Sequence, residues 1–294
     1  MLWSPQKSLH VQQVVSTYSD YLLQHYDVLH HKKFDQRYSS DEEAGIAEAV
    51  VFSWLHSIEL NPEYKEDLGQ GGPDFICHPK KMPEFIIEAT TLESEALANR
   101  TGWSNDLKHG GGSFSLPTRK LQQTVSKKLR QLSKYSMPRL LAIVSCHFGA
   151  HAFFSDEGVT HLLLGGYEIC SPLGDFSARS FLRAKLERSL FIQRDKNAPD
   201  KVDSCRRGVS ALLLIALDGR GFSTIGALHP EPHFPFDAET FPPRVPFARI
   251  QPWPPVDGQI RIEWTADSHP VSARFELAPI GATNELLDTK YSYG

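Results

Sequence analysis

The stretch that decides the fold is Gly72-Pro73-Asp74-Phe75-Ile76-Cys77, followed after a short link by Phe85-Ile86-Ile87-Glu88-Ala89-Thr90. Both halves are rich in aromatic and β-branched residues, which predicts two β-strands. The link, residues 78–84, contains two prolines and is short enough for a hairpin. Antiparallel pairing would bring Asp74 and Glu88 to the same end of that hairpin, where two carboxylates suit a hard divalent cation such as Mg²⁺.

This block resembles the motif of the PD-(D/E)XK nuclease superfamily, whose members share the restriction-endonuclease-like fold. The motif is a Pro-Asp pair, a variable hairpin and then Glu-x-Lys. Pro73-Asp74 and Glu88-Ala89-Thr90 match it except at the last position, where Thr90 stands in place of the lysine. Some members have that lysine on the following helix instead. The resemblance covers about residues 40–148 and depends on the order of its motifs, because each motif alone is short.

The segment after the hairpin supplies a candidate for the relocated lysine. A helix is predicted over residues 119–134 because apolar residues recur there at helical spacing, at Leu121, Val125, Leu129 and Leu132. Lys128 falls within that apolar stripe, where a lysine is costly unless it pairs with a carboxylate or has a function. The alternative is that Lys128 extends its ammonium to solvent from the edge of the stripe. Gln131, one turn further on, would orient a phosphate or a water.

A helix before the hairpin contains the candidate for another acid that the superfamily often has. This helix is predicted to begin near Ser40 and to run to about Ser57, with Ser40 and Glu43 at the spacing of a capping box. Glu48 lies deeper, between two alanines that permit close approach to a sheet. We therefore take Glu48 as the helix acid and Glu43 as the second choice. The alternative for Glu48 is a solvated helix glutamate.

The charge distribution favours contacts with phosphate groups at defined places. The net charge of −4 argues against a protein that coats nucleic acid nonspecifically. Yet residues 119–139 include seven Lys or Arg and no acid, and residues 179–207 include nine Lys or Arg against four acids. Such patches fit a groove that follows a phosphate backbone, although charged helix faces are often only solvated. The candidate nucleic-acid contacts are Arg119, Lys120, Lys127, Gln131 and, in a polar insertion, Arg100 and Lys108.

The remaining segments predict a single elaborated core. Further helices are predicted over residues 5–33, 157–164 and 177–190, and further strands over 140–144, 210–218, 222–228 and 259–264. The strands over 210–218 and 222–228 are predicted to pair as a second hairpin across Gly219-Arg220-Gly221. Residues 230–255 hold nine of the chain's 20 prolines, so we predict an extended surface arm that cannot form a central strand. The predicted organisation is a helical segment over residues 1–39, a nuclease-like core over 40–229, and a Pro-rich arm with C-terminal strands over 230–294.

Composition points to an intracellular globular enzyme. A chain of 294 residues with 40% hydrophobic residues is long enough for a substantial core. No apolar stretch reaches transmembrane length, and the first residues lack the apolar region of a signal peptide, so we expect no membrane partner. The four cysteines are scattered, which favours reduced thiols in the cytoplasm over a structural zinc site.

The resemblance implies an α/β fold with a mixed central sheet flanked by helices, and Mg²⁺- or Mn²⁺-dependent hydrolysis of a phosphodiester. Asp74, Glu88 and Glu48 would hold the metal, Lys128 would orient the attacking water, and Thr90 would hydrogen-bond a ligating water. DNA is the superfamily's commoner substrate, and its members include restriction and phage-defence effectors. The resemblance therefore also implies a protein partner that controls the activity, or a homodimer. The alternative is a catalytically inactive subunit for nucleic-acid binding or assembly, which the missing motif lysine keeps open. A plain α/β interaction protein is the third hypothesis.

Overall fold

The structure is a computed structural model that describes residues 8–66, 72–80, 83–101, 115–132, 134–147, 149–170, 181–195, 197–198, 201–218, 221–238, 241, 245–266 and 274–277. Within these residues the chain forms seven α-helices and thirteen β-strands. The helices are α1 (Leu9–His25), α2 (Val28–Ser40), α3 (Glu42–Ser57), α4 (Ser94–Thr101), α5 (Ser115–Leu132), α6 (Ala150–Phe153) and α7 (Asp156–Leu164).

The two strands of the predicted hairpin and the strand Arg139–Ser145 lie at predicted positions, whereas Pro62–Tyr64 and several strands of the second half were not predicted. They are β1 (Pro62–Tyr64), β2 (Phe75–Cys77), β3 (Phe85–Thr91), β4 (Arg139–Ser145), β5 (Tyr167–Cys170), β6 (Phe181–Ala184), β7 (Ile192–Arg194), β8 (Val202–Ser204), β9 (Ala211–Asp218), β10 (Gly221–Leu228), β11 (Phe247–Val256), β12 (Gln259–Trp264) and β13 (Arg274–Leu277).

Eleven of the described strands form one mixed sheet in the order β1-β2-β3-β4-β9-β10-β11-β12-β13-β6-β5. The β2–β3 pair is the predicted antiparallel hairpin, with Phe75 opposite Ile87. Strands β3, β4 and β9 are parallel neighbours, and β9 and β10 form the second predicted hairpin. The predicted α/β class with a mixed sheet is therefore confirmed, as are the two hairpins.

Helices cover both faces of this sheet, because its central strands are apolar on both sides. Ile87 packs in the cluster that includes Tyr18 of α1 and Val50 of α3. Its neighbour Ile86 packs on the opposite face, in the cluster that includes Val125 of α5. The alternation of adjacent residues between two cores follows from the pleat of the strand. The hairpin thus lies between a layer formed by α1 to α3 and a layer that includes α5.

Two helix predictions near the N-terminus are wrong in detail. The helix predicted over residues 5–33 is two helices, because Asp27 begins α2 by accepting hydrogen bonds from the backbone N–H groups of Leu29 and His30. The capping box of Ser40 and Glu43 does not form. Asp41 caps α3 instead through the N–H of Ala44, at 3.1 Å, and Glu43 accepts the N–H of Ser94 at the start of α4.

Two predictions in the second half of the chain are also wrong. The helix predicted over 177–190 is replaced by β6, because Phe181–Ala184 pair with β13 on one side and with β5 on the other. The Pro-rich stretch does enter the sheet, because β11 lies between β10 and β12. Its prolines are accommodated where the register with β12 shifts, between Gln251 and Val256. Irregular pairing of this kind is where a strand tolerates residues without an N–H.

The described helices include none that is both long and apolar enough to cross a membrane.

Replacement of the α3 cap tests the corrected helix start. We expect Asp41→Ala to lower the free energy of unfolding by about 1 kcal/mol, because one N–H at the helix start loses its acceptor. The matched control is Ser40→Ala at the neighbouring exposed position, which should change stability by less than about 0.5 kcal/mol. Urea unfolding followed by circular dichroism measures both, and a larger loss in Ser40→Ala would contradict the assignment.

Candidate active site

A cleft of about 630 Å³ opens at the end of the β2–β3 hairpin. Its walls come from three places: the helices α2 and α3, the hairpin itself, and the polar side of α5. We call it the hairpin cleft. Six acidic side chains line it, namely Asp41, Glu48, Glu66, Asp74, Glu88 and Glu93. Of these, Glu48, Glu66, Asp74 and Glu88 form the acidic group of the cleft.

The hairpin positions the first two acids as its sequence predicts. Because Phe75 pairs with Ile87, Asp74 and Glu88 follow as neighbours at the open end of the hairpin. Asp74 is 4% exposed and Glu88 is 1% exposed, so neither is a surface carboxylate. The backbone N–H of Ala89 donates to Oδ2 of Asp74 over 2.7 Å, which fixes the orientation of that carboxylate across the two strands.

Helix α5 brings a cation and an amide to Glu88. The Nζ atom of Lys128 lies 2.5 Å from Oε1 of Glu88. The Nε2 atom of Gln131 lies 3.2 Å from Oε2 of the same carboxylate and also donates to the carbonyl oxygen of Gly72. The prediction that a lysine in the inward stripe needs a partner is thus met by a buried glutamate. Leu121, Val125 and Leu132 of the same helix are buried, as the stripe predicts.

Glu48 lies in the same cleft but accepts hydrogen bonds from a different set of partners. The hydroxyl of Tyr18 donates to Oε1 over 2.7 Å, and the guanidinium of Arg37 donates to Oε2. Arg37 also lies 3.5 Å from Oδ1 of Asp74. Arg37 therefore connects the helix acid to the hairpin acid. Glu48 is 3% exposed, which excludes the solvated alternative for this residue.

Glu66 completes the acidic group. Both of its carboxylate oxygens lie 3.1 Å from the second terminal nitrogen of Arg37. Lys33, one helical turn before Arg37 on α2, lies 2.8 Å from Oε1 of Glu66, and the hydroxyl of Tyr64 donates to Oε2. Glu66 thus receives two cations from one helix.

Burial and mutual repulsion raise the proton affinity of the buried acids. Burial, together with the neighbouring Asp74 carboxylate, raises the pKa of Glu88 to about 8 despite the opposing effect of Lys128. The same two causes raise the pKa of Glu48 to about 7 despite Arg37. Burial raises the pKa of Asp74 as well. For Glu66, burial alone would raise the pKa, but Lys33 and Arg37 lower it. Carboxylates perturbed in this way are common at functional sites.

The predicted nucleic-acid contacts are only partly brought to the cleft. Lys120, Lys127 and Gln131 line it, as does Thr90 of the hairpin. Arg119 is exposed on α5 and is not among the lining residues. Arg100 belongs to α4, but its side chain is not described, and Lys108 lies outside the described residues.

The described part of the second basic stretch, residues 179–207, does not reach the cleft. None of the lining residues comes from the described parts of residues 181–207. Arg206 instead bonds Ser126, over 3.1 Å, on α5.

Sequence patterns did not identify the residues of α1 and α2 that donate hydrogen bonds to the buried acids. Arg37 and Lys33 lie four residues apart on α2, and Tyr18 lies on α1, outside the part of the chain that the resemblance covers. The available signal is the helical periodicity of residues 5–33, which places Val14, Tyr18 and Leu22 along one side of the predicted helix. A tyrosine on such a face is more often core than ligand, so the pattern could not reveal its bond to Glu48.

The donor set fits a Mg²⁺ site built on two carboxylates. Among the described residues, no group of three or more His, Cys, Asp or Glu is arranged to hold a metal ion. Mg²⁺ usually keeps several waters and binds proteins through one or two carboxylates, so a larger cluster is not required. Asp74 and Glu88 adjoin each other at an open cleft, with oxygens that face only nitrogen donors. Arg37 and Lys128 therefore lie beside the carboxylate oxygens that a metal ion would bind.

Comparison of the chain with protein-family models, with curated proteins and with solved structures gave no match. A functional assignment therefore depends on the residues of the cleft.

The raised pKa of Glu88 predicts how stability changes with pH. Between its ordinary value of 4.5 and its folded value of about 8, the folded protein holds a proton that the unfolded chain releases. The free energy of unfolding should therefore fall as pH rises through that window, and Glu88→Gln should remove a part of the fall on the order of 1 kcal/mol or more.

Urea titrations across that pH range measure the effect, as the difference in slope between wild type and variant. Glu84→Gln is the matched control, because Glu84 is an exposed glutamate at the other end of the same strand. Equal slopes in wild type and Glu88→Gln would show that Glu88 ionises normally in the folded protein.

Proposed function

We propose that the protein is a metal-dependent phosphodiester hydrolase, a nuclease for which the resemblance suggests DNA as the substrate. One observation supports this most directly: Lys128 reaches Glu88, the acid that follows Asp74 at the end of the hairpin. This is the contact expected of a PD-(D/E)XK site whose lysine has moved to a later helix, here α5, which follows α4. The mixed sheet flanked by helices is compatible with a restriction-endonuclease-like fold, which we propose for the chain.

In this proposal Asp74 and Glu88 hold Mg²⁺ or Mn²⁺, and the carbonyl of Ala89 contributes to the same shell. The ion would lower the pKa of a bound water and neutralise charge on the scissile phosphate. Glu48 is the proposed additional ligand or water holder. Its bonds to Tyr18 and Arg37 fix its carboxylate in the cleft.

The chain's own residues would perform the remaining steps. The ammonium of Lys128, held at Glu88, would orient the attacking water and stabilise the negative charge that develops on the phosphate. Gln131 would hold the second oxygen of Glu88 in place. Thr90 lines the cleft beside these groups and would hydrogen-bond a ligating water. Water attack at phosphorus would break one P–O ester bond and leave a phosphate monoester and a free hydroxyl.

The polar side of α5 is the proposed path of the phosphate backbone. Lys120 and Lys127 line the cleft seven residues apart, about two helical turns, so both present their ammonium groups along one wall. A localised basic wall in a mildly acidic chain would attract nucleic acid only at that place. A cytoplasmic location, a role in restriction or phage defence, control by a protein partner, and a homodimer are proposals that follow from the resemblance.

A catalytically inactive nucleic-acid-binding or assembly subunit is the second candidate. The observation that favours it is the compensation of the acids by the chain itself. Arg37 and Lys128 already pair with Glu48, Asp74 and Glu88. A site that has lost its metal could be stabilised in this way, and Thr90 in place of the motif lysine is consistent with such a loss.

Cleavage of supercoiled plasmid, linear duplex and single-stranded DNA tests the enzyme hypothesis. We expect wild type to cut with Mg²⁺ or Mn²⁺ and not with EDTA. Glu88→Ala and Lys128→Ala should each lose at least about 100-fold in rate, because each removes a group that acts on the transition state. Lys134→Ala is the matched control, since Lys134 is exposed beyond the end of α5.

The variants separate the hypotheses. Loss in Glu88→Ala alone would keep the nuclease and exclude Lys128 as the catalytic lysine. DNA binding without cleavage by any form would favour the inactive subunit. Circular dichroism of each variant establishes that the fold is retained.

The salt dependence of DNA binding tests the path along α5. In EDTA, Lys120→Gln and Lys127→Gln should each reduce the slope of log K against log salt by about 0.9, because each removes one phosphate contact on duplex DNA. Lys134→Gln should leave the slope unchanged. Fluorescence anisotropy with a labelled duplex at several salt concentrations measures it. Identical slopes in all four proteins would place the phosphate path elsewhere.

A further inference from the structure

Arg37 joins three carboxylates that come from three separate parts of the chain. One terminal nitrogen donates to Oε2 of Glu48 and lies 3.5 Å from Oδ1 of Asp74. The other lies 3.1 Å from each oxygen of Glu66. The guanidinium is therefore a positive charge held beside Oδ1 of Asp74.

The contacts of Arg37 differ in closeness. Glu66 is held by two equal contacts, whereas Asp74 is reached by a single contact at the outer limit of a hydrogen bond. The other oxygen of Asp74 is held independently by the N–H of Ala89. Asp74 can therefore lose Arg37 and keep its orientation, while Arg37 keeps Glu48 and Glu66 as partners.

We propose that Arg37 is an exchangeable internal counterion: it neutralises Asp74 until a divalent cation binds, and the cation then displaces it from Asp74 toward Glu66. This inference rests on the proposed function, because it takes Asp74 as a metal ligand. It makes Arg37 a positioning residue and a competitor of the metal.

Electrostatics favour the displacement. A guanidinium cannot lose its proton in a protein, so it cannot give way by becoming neutral. A divalent ion on Oδ1 of Asp74 would repel it across a few ångströms. Arg37 lines the cleft with a side chain that is 29% exposed, so it has room to withdraw. Every metal ion that binds must therefore outcompete a tethered cation, which lowers the affinity of the metal.

Binding of Mn²⁺ by the protein alone, without substrate, measures this competition. Free Mn²⁺ is followed by electron paramagnetic resonance in wild type, Arg37→Gln and Lys33→Gln. We expect Arg37→Gln to bind Mn²⁺ about tenfold more tightly than wild type, within the usual range of coupling between two sites. Lys33→Gln is the matched control: it removes a cation from Glu66 but does not contact Asp74, and it should change the affinity by less than about twofold. Loss of binding in Glu88→Gln locates the ion in the hairpin cleft.

A second measurement on the wild-type protein does not depend on how the variant folds. The Nε–H signal of Arg37 in a nitrogen–proton correlation spectrum is assigned by its disappearance in Arg37→Lys. We expect Mg²⁺ to shift this signal. The Nε–H signal of Arg139 should stay in place, because that group donates to the carbonyl oxygen of Tyr135 away from the cleft.

The outcomes separate this inference from the proposed function. Unchanged or weaker Mn²⁺ binding in Arg37→Gln, or an Arg37 signal that Mg²⁺ does not move in a protein that binds metal, would overturn the inference and leave the nuclease in place. Mn²⁺ binding by Arg37→Gln but not by wild type would support it in its strongest form. Absence of Mn²⁺ binding from both proteins would overturn both proposals.

Discussion

The structure depends on the compensation of carboxylates that are almost excluded from water. Glu48, Asp74 and Glu88 are 3%, 4% and 1% exposed, and an unpaired charge at such depth is strongly destabilising. Arg37 pairs with both Glu48 and Asp74, and Lys128 pairs with Glu88. Arg37 reaches inward from α2, and Lys128 reaches Glu88 from α5 on the opposite face of the sheet. The polar site therefore fixes the positions of helices on both faces relative to one hairpin.

Compensation of this kind also explains why the acids would be retained. Replacing a buried ion pair with apolar residues often leaves a protein equally or more stable, so a buried charge cluster is a poor device for stability alone. The surrounding core is apolar and extensive. The proposed cation and phosphate sites would give a reason for three buried acids that open on a cleft with a basic wall.

The sequence predicted the part of the site that local patterns determine. The hairpin follows the residue alternation of β-strands, and the apolar stripe on α5 follows helical spacing. The approach of Lys128 to Glu88 could therefore be inferred from the sequence. Arg37 could not be inferred, because its role depends on how α2 packs against α3 and the hairpin. The helix expected over 177–190 failed for a similar reason, since its described residues pair with strands distant in sequence. Propensity is a weak guide where tertiary pairing decides.

The join between β10 and β11 separates two regions of the sheet. Those strands pair only through Gly226 with Phe247 and Ala227 with Ala248. All the acids of the hairpin cleft lie on the β1–β4 side, and the strands from β11 onward lie beyond the join. The two regions nevertheless share their apolar cores, because Phe247 of β11 packs in the cluster that contains Ile87 of the hairpin. A substitution in the C-terminal strands would therefore reach the cleft through side-chain packing and not through a continuous backbone ladder.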